Sequence, residues 1–466
     1  MMRYVYEQTD FLDQRCYDLF KLTPEILMEH AGLALARAVK KKLTCKKKAL
    51  FVCGMGNNGA DGMVAARLLH AKYDVALYCP FELKSPLAKL QLERARALGI
   101  SVVQELMDAD IYVDALFGAG LNRTLDKQTC QLLDTMNAKE GYKIACDVPS
   151  GLRTDFVPSQ VVFKADETVT MGALKLCLLN DNAKDTVGKI TVANLGLSHL
   201  LYDTSSSYRL LQKKDIHLPF RITKNSNKGT FGHVAILQGL KEGAARLAGM
   251  GAFHFGAGLV TLVGERTKKL PVYLMNEMIL PKNANVIVAG MGLIEPFDET
   301  MVQRYLLDND LPLVIDASLS HHAIVQKIVA AQKPVVFTPH PKEFSALLSL
   351  TCQKSVSVDE IQATRFFYAK LFSERFPQSV LLLKGANTII AHQGNLFINT
   401  FGQPSLAKGG SGDVLSGMIG ALIAQGYPIQ DAAIHASLAH ALVSSKLTCN
   451  NFSLTPVDIC KGLKWL

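Results

Sequence analysis

The sequence predicts two α/β domains in one chain, and three observations support this fold class. The chain has 466 residues, which is too long for one ordinary core, so we expect two domains of about 200 to 260 residues each. In both halves, short apolar runs that suit buried parallel strands alternate with stretches of helical periodicity. Glycine-rich turns follow several of these runs directly, which is typical of the ligand-binding edge of an open α/β sheet.

Composition narrows the class of protein. Apolar residues form 49% of the chain and charged residues 20%, as in globular proteins. The net charge of +9 would suit a polyanionic small substrate. The densest basic group lies within residues 40–48 and flanks an apolar strand, so it indicates a solvated loop rather than a nucleic-acid surface.

The cysteines point to a reducing compartment. The ten cysteines form no CxxC pair, and several lie inside apolar runs, which predicts buried thiols without disulfides. The sequence has no apolar leader and no run of about 18 apolar residues. We therefore expect a cytoplasmic protein that binds neither membrane nor nucleic acid.

The first half opens with a predicted helix. Thr23 can cap it, Pro24 suits its first position, and an apolar stripe continues to Val39. A buried strand at 49–53 then leads into a glycine-rich turn at 54–62, a second helix and a strand at 75–78. This is a βαβ unit, which predicts a Rossmann-like α/β/α sandwich.

Polar residues follow three predicted strands of this half. Asn57, Asn58 and Asp61 follow the first strand, Asp114 ends the second, and Asp147 follows the third. Because the carboxyl ends of parallel strands form one crevice, we expect these residues to converge. Taken singly, each turn also has a plain structural explanation, since glycine, asparagine and aspartate favour turns. The turn at 54–62 does not match the dinucleotide fingerprint GxGxxG.

The segments GMGNNGADG, VDALFGAG and DVPSG together resemble the amino-terminal domain of the nicotinamide nucleotide repair proteins, which epimerises hydrated NADH and NADPH. The resemblance covers roughly residues 5–200. It implies a K⁺ ion held by Asn58, Asp114 and Ser150, whose oxygen ligands suit such a hard ion, and it makes Asp147 the acid/base. The implied substrate contacts are Asn57, Asn58, Gly59, Ala60, Asp61, Gly118, Ala119, Gly120, Leu121, Asn122, Arg123, Thr124 and Asp147.

Two residues of this half depart from the family pattern. Ala60 replaces a usual glycine, which is a small change, and His30 replaces a usual asparagine in a helix. A helical histidine is ordinarily structural, but one that faced the site could alter the rate. The short polar stretch at 202–207 is the best linker, so we expect domains at 1–205 and 206–466.

The second half repeats the strand and helix alternation. Apolar strands are expected at 234–237, 259–263, 286–289, 313–315, 335–337 and 380–383. Ser357 and Glu360 predict a capping box that opens one long amphipathic helix toward Phe376. Gln393-Gly394 predicts a hairpin between strands at 388–392 and 396–399.

Four glycines surround Asp413 in the segment at 408–417, just before an apolar helix that should stop near Gly426. Their backbone N–H groups and the helix N-terminus would stabilise a phosphoryl group within reach of Asp413. From these residues alone, a glycine-rich turn in which Asp413 caps the helix is equally possible. Gly292, His340 and Lys384 follow other strands, and Lys384 could balance a phosphate charge.

The segments KGTFGHV, GAARLAG, GAGLVTL, HPKEF, KGANT and GGSGDVLSG resemble the carboxyl-terminal dehydratase domain of the same repair proteins, a ribokinase-like α/β domain, over about residues 215–466. The resemblance implies hydrate contacts at Gly292, His340 and Asp413. The implied nucleotide contacts are Lys384, Gly385, Ala386, Asn387, Thr388 and Gly412. Lys342 and Ser318 stand where the family usually has glycine and aspartate.

Together the resemblances imply a bifunctional metabolite repair enzyme. Its first domain would interconvert the R and S hydrates of NADH and NADPH (NADHX and NADPHX), and its second would dehydrate the S form at the expense of ADP, giving AMP and phosphate. Asp413 would be the base, with Mg²⁺ on the nucleotide. We also expect a homo-oligomer. Two choices stay open: whether ADP or ATP is the phosphate donor, and whether NADHX or NADPHX is the preferred substrate.

Two alternatives remain at this point. A vitamin-precursor kinase of the ribokinase-like class would keep the GGSGD segment but release a stable phosphoester. The first domain could instead be a non-catalytic binding or assembly module, although the set of Asn58, Asp114, Asp147 and Ser150 favours an enzyme.

Overall fold

The computed structural model describes residues 2–43, 47–157, 159–267, 269–293, 299–447 and 449–466. Cys45 and Lys46, which belong to the cysteine set and the basic group, lie outside these ranges. The chain divides into two compact units, a first unit at Tyr4–Ser206 and a second unit at Ser207–Leu466 that also includes Met2 and Arg3. In the described ranges, no helix combines the length and apolar character that a membrane span requires.

The first unit follows an α/β pattern. Its strands are β1 (Arg3–Tyr6), β2 (Lys48–Cys53), β3 (Asp74–Tyr78), β4 (Ser101–Val103), β5 (Ile111–Ala115), β6 (Tyr142–Cys146), β7 (Glu167–Met171), β8 (Leu174–Lys175) and β9 (Lys189–Ala193). Its helices are α1 (Asp10–Phe20), α2 (Pro24–Lys40), α3 (Asn57–Leu69), α4 (Pro86–Ala97), α5 (Lys127–Ala138) and α6 (His199–Tyr202).

A parallel sheet in the order β4-β3-β2-β5-β6-β7-β9 forms the centre of the first unit. Strands β2 and β5 are almost completely buried, which explains their continuous apolar sequence. Strand order reverses between β2 and β5, so the crevice at their carboxyl ends is the topological switch point of the sheet. The predicted helix after Thr23 and the predicted strands are confirmed.

The second unit continues the alternation. Its strands are β10 (Tyr208–Leu210), β11 (His233–Leu237), β12 (Leu259–Val263), β13 (Met275–Glu277), β14 (Val286–Ala289), β15 (Leu313–Ile315), β16 (Val335–Phe337), β17 (Ser379–Leu383), β18 (Thr388–His392) and β19 (Asn395–Asn399). Its helices are α7 (Glu242–His254), α8 (Glu299–Leu307), α9 (Ile324–Ala330), α10 (Pro341–Cys352), α11 (Val358–Ala363), α12 (Arg365–Arg375), α13 (Ser411–Ala424), α14 (Ile429–Lys446) and α15 (Pro456–Gly462).

The strands of the second unit run in the order β13-β12-β11-β14-β15-β16-β17-β18-β19-β10. Strand β18 is antiparallel to both β17 and β19, whereas the other described pairs are parallel. The predicted hairpin is therefore confirmed, and Gln393 and Gly394 both have positive φ, as a tight hairpin turn requires.

Helix α13 is buried between the sheet and α7. Gly417 allows this approach, because a Cβ there would lie 1.9 Å from the carbonyl oxygen of Ala248 in α7. Gly420 similarly faces Val288 of β14. Since α13 begins at the GGSGD segment, this packing fixes the position of the segment against the sheet.

The prediction of one long helix between Ser357 and Phe376 is wrong. Thr364 leaves helical geometry, so this segment forms two helices, α11 and α12. After the break Arg365 turns inward, and its guanidinium donates to the carbonyls of Leu383, Lys384 and Asn387. The capping box is also incomplete, because Ser357 Oγ accepts from the N–H of Glu360 but the carboxylate of Glu360 accepts from Tyr368 instead.

Candidate active sites

A cavity of about 660 Å³ lies at the switch point of the first unit. The turns after β2, β5 and β6 converge there, as predicted. The predicted contacts that line the cavity are Asn57, Asn58, Asp61, Gly118, Ala119, Gly120, Leu121, Asn122, Arg123 and Asp147. Gly59 and Ala60 are buried within α3, and Thr124 is exposed beside the loop, so these three do not line it.

Asp147 is held in a strained and specific position. Its φ of 67° is in the left-handed region, which a non-glycine residue adopts only where its surroundings enforce it. The ammonium of Lys175 lies 2.6 Å from its Oδ1. Burial alone would raise the pKa of this carboxyl, but Lys175 and the N–H of Met171 outweigh burial and hold the pKa below its ordinary value. Asp147 is therefore a charged carboxylate at neutral pH.

Two further carboxyls, those of Asp61 and Asp13, face the same cavity, and their pKa values are raised rather than lowered. Burial, then the charges of Asp147 and Asp13, raise the pKa of Asp61 well above its ordinary value. Burial also raises the pKa of Asp13, although Tyr202 donates a hydrogen bond to it at 2.7 Å. The cavity thus combines one carboxyl whose pKa is held low with two carboxyls whose pKa is raised, an arrangement suited to acid/base chemistry.

The residues expected to hold K⁺ lie at the base of the same loops. Asp114 is completely buried and accepts from the N–H groups of Leu116 and Ser150 and from Ser150 Oγ at 2.7 Å. These described donors are neutral, and burial raises the pKa of Asp114 to about 6. The Nδ2 atom of Asn58 is buried without a hydrogen-bond partner among the described residues. Gly118 lies against Asn58 Oδ1, which a Cβ there would approach to 3.1 Å.

His30 does not line the cavity. Its ring packs against Gly196, after β9, where a Cβ would lie 2.6 Å from the ring. The structural interpretation of this departure from the family pattern is therefore favoured.

In the second unit, charged residues gather at the carboxyl ends of β15, β16 and β17. The ammonium of Lys384 lies 2.9 Å from Asp316 Oδ1 and 3.7 Å from Glu343 Oε2. His340 caps α10, and its ring lies 3.2 Å from Glu343 Oε1. A Cβ on Gly412 would lie 3.3 Å from the Lys384 ammonium, so the GGSGD segment is directly beside this group.

Asp413 joins this group without a cation of its own. Burial and the charge of Asp316 raise the pKa of Asp413 to about 6, although Lys384 partly opposes them. Lys384 instead donates its hydrogen bond to Asp316, whose pKa it holds below the ordinary value despite burial. Asp413 is thus a base that can take up a proton near neutral pH.

The GGSGD segment has the conformation expected of an anion cradle. Gly410 caps α13 with φ of 92°, which requires glycine, and Asp413 lies inside the first turn rather than at the cap. Behind the segment, burial lowers the pKa of His440 to about 4, so its ring is neutral. His440 Nε2 lies 3.1 Å from both the carbonyl and the hydroxyl of Ser411, which fixes the segment from behind.

The other predicted contacts of this site have different settings. Gly385 and Ala386 are exposed, and Thr388 begins β18. Asn387 is buried, and its carbonyl accepts a hydrogen bond from Arg365. Gly292 packs against Lys241 and Ala244. Of the two family departures, Ser318 donates to the carbonyl of Gly290 at 2.7 Å, and Lys342 is exposed on α10.

Sequence reasoning missed Lys175, Asp13, Asp316 and Glu343 as members of these sites. Lys175 stands alone in the apolar run 173–179, and a buried charge in such a run is a usable signal. Asp316 directly follows β15, at the same sheet edge as Lys384. Asp13 offers no such signal, because it lies on an ordinary amphipathic helix far from the motifs.

Comparison with known proteins identifies the family of the chain. A family model described as NAD(P)H-hydrate dehydratase matches residues 234–464, and one described as YjeF-related protein N-terminus matches residues 24–177. The bifunctional NAD(P)H-hydrate repair enzyme of Helicobacter pylori is 38% identical over 99% of both chains. The chain belongs to the bifunctional NAD(P)H-hydrate repair enzymes.

Two further relatives extend this comparison. The repair enzyme of Escherichia coli is 31% identical, over 93% of this chain and 87% of its own. A solved structure, the ADP/ATP-dependent NAD(P)H-hydrate dehydratase from Bacillus subtilis co-crystallised with ATP and Mg²⁺, is 28% identical over 53% of this chain and 92% of its own, with a TM-score of 0.44.

Membership confirms the predicted function, which is repair of hydrated NADH and NADPH by an epimerase and a dehydratase. The two sheets and the two family matches also confirm the fold class of two α/β domains in one chain. Both alternatives, a vitamin-precursor kinase and a non-catalytic first domain, are thereby rejected.

Proposed function

We propose that residues 1–205 are the epimerase domain and residues 206–466 the dehydratase domain. The two family matches fall on either side of this limit, at 24–177 and 234–464. The two charged clusters also lie in separate units, each at the carboxyl edge of its own sheet.

In the epimerase domain, Asp147 is the acid/base. The observation that carries this assignment is the ionised carboxylate of Asp147, strained and fixed by Lys175, at the wall of a cavity large enough for a nucleotide. The loop that includes Asn122 and Arg123 lies on the same cavity and offers a cationic side chain to the phosphates of NADHX.

The described residues suit a K⁺ ion at the base of this cavity. Buried Asp114 receives only neutral donors in the described structure, so a cation would balance its charge. Asn58, Asp114 and Ser150 would hold the ion through oxygen atoms. When bound, K⁺ would supply positive charge and order the loops that carry Asp147 and Gly118. Replacing K⁺ with tetramethylammonium should lower both epimer exchange and the melting temperature of the first unit.

In the dehydratase domain, Asp413 is the base. It takes the proton from the hydroxyl of the S hydrate while that oxygen attacks the terminal phosphate of ADP and AMP leaves. The phosphorylated hydroxyl then departs as phosphate while a ring proton is lost and the double bond returns, giving NADH. The N–H groups of the GGSGD segment and the ammonium of Lys384 stabilise the charge on the transferring phosphoryl group.

Nucleotide binding falls to Lys384, Gly385, Ala386, Asn387, Thr388 and Gly412, and the hydrate lies toward Gly292 and His340. Mg²⁺ would be held mainly by the phosphates of ADP, because the described residues contain no group of three or more carboxylate, histidine or cysteine side chains arranged to hold a metal. ADP rather than ATP is our expected donor, and NADHX and NADPHX are both expected substrates.

A mixture of R and S hydrates tests both assignments in the full chain. With ADP, the wild-type enzyme should restore all of the NADH, measured by its absorbance, whereas D147N should stop at the S fraction. Full restoration by D147N beyond the uncatalysed rate would contradict the role of Asp147. Repeating the assay with ATP decides the donor, and equal rates with both nucleotides would overturn the preference for ADP.

We also expect a cytoplasmic homo-oligomer. The nine described cysteines are free thiols, most of them buried, which suits a reducing compartment. Phe220 and Ile222 are largely exposed in the second unit, and such apolar side chains favour contact with a second copy. The mass in solution, measured by light scattering, tests this, and a monomer at micromolar concentration would contradict it.

A further inference from the structure

The epimerase cavity contains a buried cation that the proposed reaction does not yet use. The side chain of Lys175 is only 3% exposed, yet it belongs to the cavity wall. Its ammonium donates to Asp147 Oδ1 at 2.6 Å, to Thr170 Oγ1 at 3.2 Å and to the carbonyl of Met171 at 3.0 Å. All three of its N–H donors are therefore directed at the protein, and none is left for a substrate.

The two oxygens of Asp147 have different surroundings. Oδ1 accepts from Lys175, from the N–H of Met171 at 3.0 Å and from Thr170 Oγ1 at 3.3 Å. Oδ2 accepts one hydrogen bond, from the N–H of Ala119 at 3.0 Å, and lies against Gly118 at the cavity. Oδ1 is thus saturated by the protein, whereas Oδ2 keeps acceptor capacity on the side where a substrate would bind.

We infer that Lys175 is the positioning residue of the epimerase site, holding Asp147 as a charged proton acceptor with its Oδ2 directed into the cavity. This inference rests on the proposed role of Asp147. Lys175 acts through Asp147 and does not contact the hydrate.

The charge of Lys175 matters because other carboxyls lie close to Asp147. Asp13 and Asp61 face the same space, and both carboxyls interact electrostatically with Asp147 and with Lys175. Without the ammonium, Asp147 would lose the cation that donates to it while Asp13 and Asp61 stayed nearby, and Asp147 would favour its protonated form more strongly. Its left-handed backbone would also lose the contact from β8 that holds the side chain in place.

Substitution of Lys175 tests this in the full chain. Excess D147N enzyme, which retains the dehydratase, is added with ADP so that restoration of NADH from the R hydrate reports only the epimerisation by the tested variant. We expect K175M to lower kcat for epimerisation roughly 100-fold while KM changes less than about threefold, because Lys175 does not contact the substrate. The kcat of K175R should be at least tenfold higher than that of K175M, to within roughly a factor of three, because arginine restores the charge.

The matched variant is T170V, which removes one neutral hydrogen bond to the same Oδ1 and one acceptor of Lys175 but leaves the ion pair. It should cost less than about threefold in kcat. Unchanged kcat in folded K175M, or an equal loss in T170V, would overturn the inference. If K175M does not fold, K175Q replaces it under the same criteria. A wild-type enzyme that fails to exchange the epimers would instead contradict the proposed role of this domain, which keeps the two failures distinct.

Discussion

Replacing Asp413 with asparagine should abolish dehydration and, at the same time, stabilise the second unit. The carboxyl has an ordinary pKa of 3.8, and burial with the charge of Asp316 raises it to about 6 in the folded protein. A shift of roughly two units corresponds to about 3 kcal/mol. Because Asp413 is only partly buried, solvent screens this cost, and we expect about 1–2 kcal/mol. Asparagine carries no charge, so D413N avoids this cost of ionising residue 413 in the folded protein.

The pH dependence follows from the sign of the shift. Since the pKa is higher in the folded state, ionising Asp413 opposes folding. The cost is absent at a pH below the ordinary value, grows as the pH rises toward about 6, and is complete above it. The advantage of D413N should therefore be full at neutral pH and about half as large near pH 5.

Thermal unfolding of wild type and D413N at both pH values measures this advantage, which should be roughly 3–6 °C at neutral pH. The control is D316N, which should lower stability by about 3 kcal/mol because it removes the buried carboxylate that pairs with Lys384. Equal melting temperatures for D413N and wild type at neutral pH would refute the electrostatic reasoning. Epimer exchange by D413N, followed by NMR, should be unchanged. Retained dehydration by D413N would refute the role of Asp413 as base.

Three further predictions follow from the contacts of single residues. G118A should slow epimer exchange at least about tenfold, because the new Cβ would lie 2.9 Å from Asp147 Oδ2, whereas G120A, whose Cβ meets nothing within 4 Å, should have a smaller effect. G417A should lower the free energy of unfolding by about 2–3 kcal/mol through its 1.9 Å approach to the Ala248 carbonyl, while G243A, at an open position of α7, should raise it by about 0.5 kcal/mol in denaturant unfolding. The kcat/KM for dehydration should fall tenfold per pH unit below about 6, whereas epimer exchange should persist to lower pH because the pKa of Asp147 is lowered; parallel pH profiles would contradict this contrast.

Local sequence signals predicted most of the fold and the location of both sites. Continuous apolar runs identified the buried strands, and the polar turns after β2, β5 and β6 correctly placed Asn58 and Asp147 in one cavity. The break at Thr364 could not be predicted, because its cause is a contact between Arg365 and carbonyls more than fifteen residues away. Asp13 was missed for the same reason, since only tertiary packing brings α1 to the cavity.

The two sites use the same pair of residue types in opposite ways. In the epimerase site, Lys175 donates directly to Asp147, so the proposed base is ionised firmly and its pKa is low. In the dehydratase site, Lys384 donates to Asp316 and lies beside Gly412 of the GGSGD segment, while Asp413 keeps a raised pKa. A base that must take a hydroxyl proton during phosphoryl transfer benefits from higher basicity, and a cation beside the phosphate benefits from being held by a different carboxylate. In the proposed reaction, the separate carboxylate at Asp316 would therefore let Lys384 and Asp413 act together without neutralising each other.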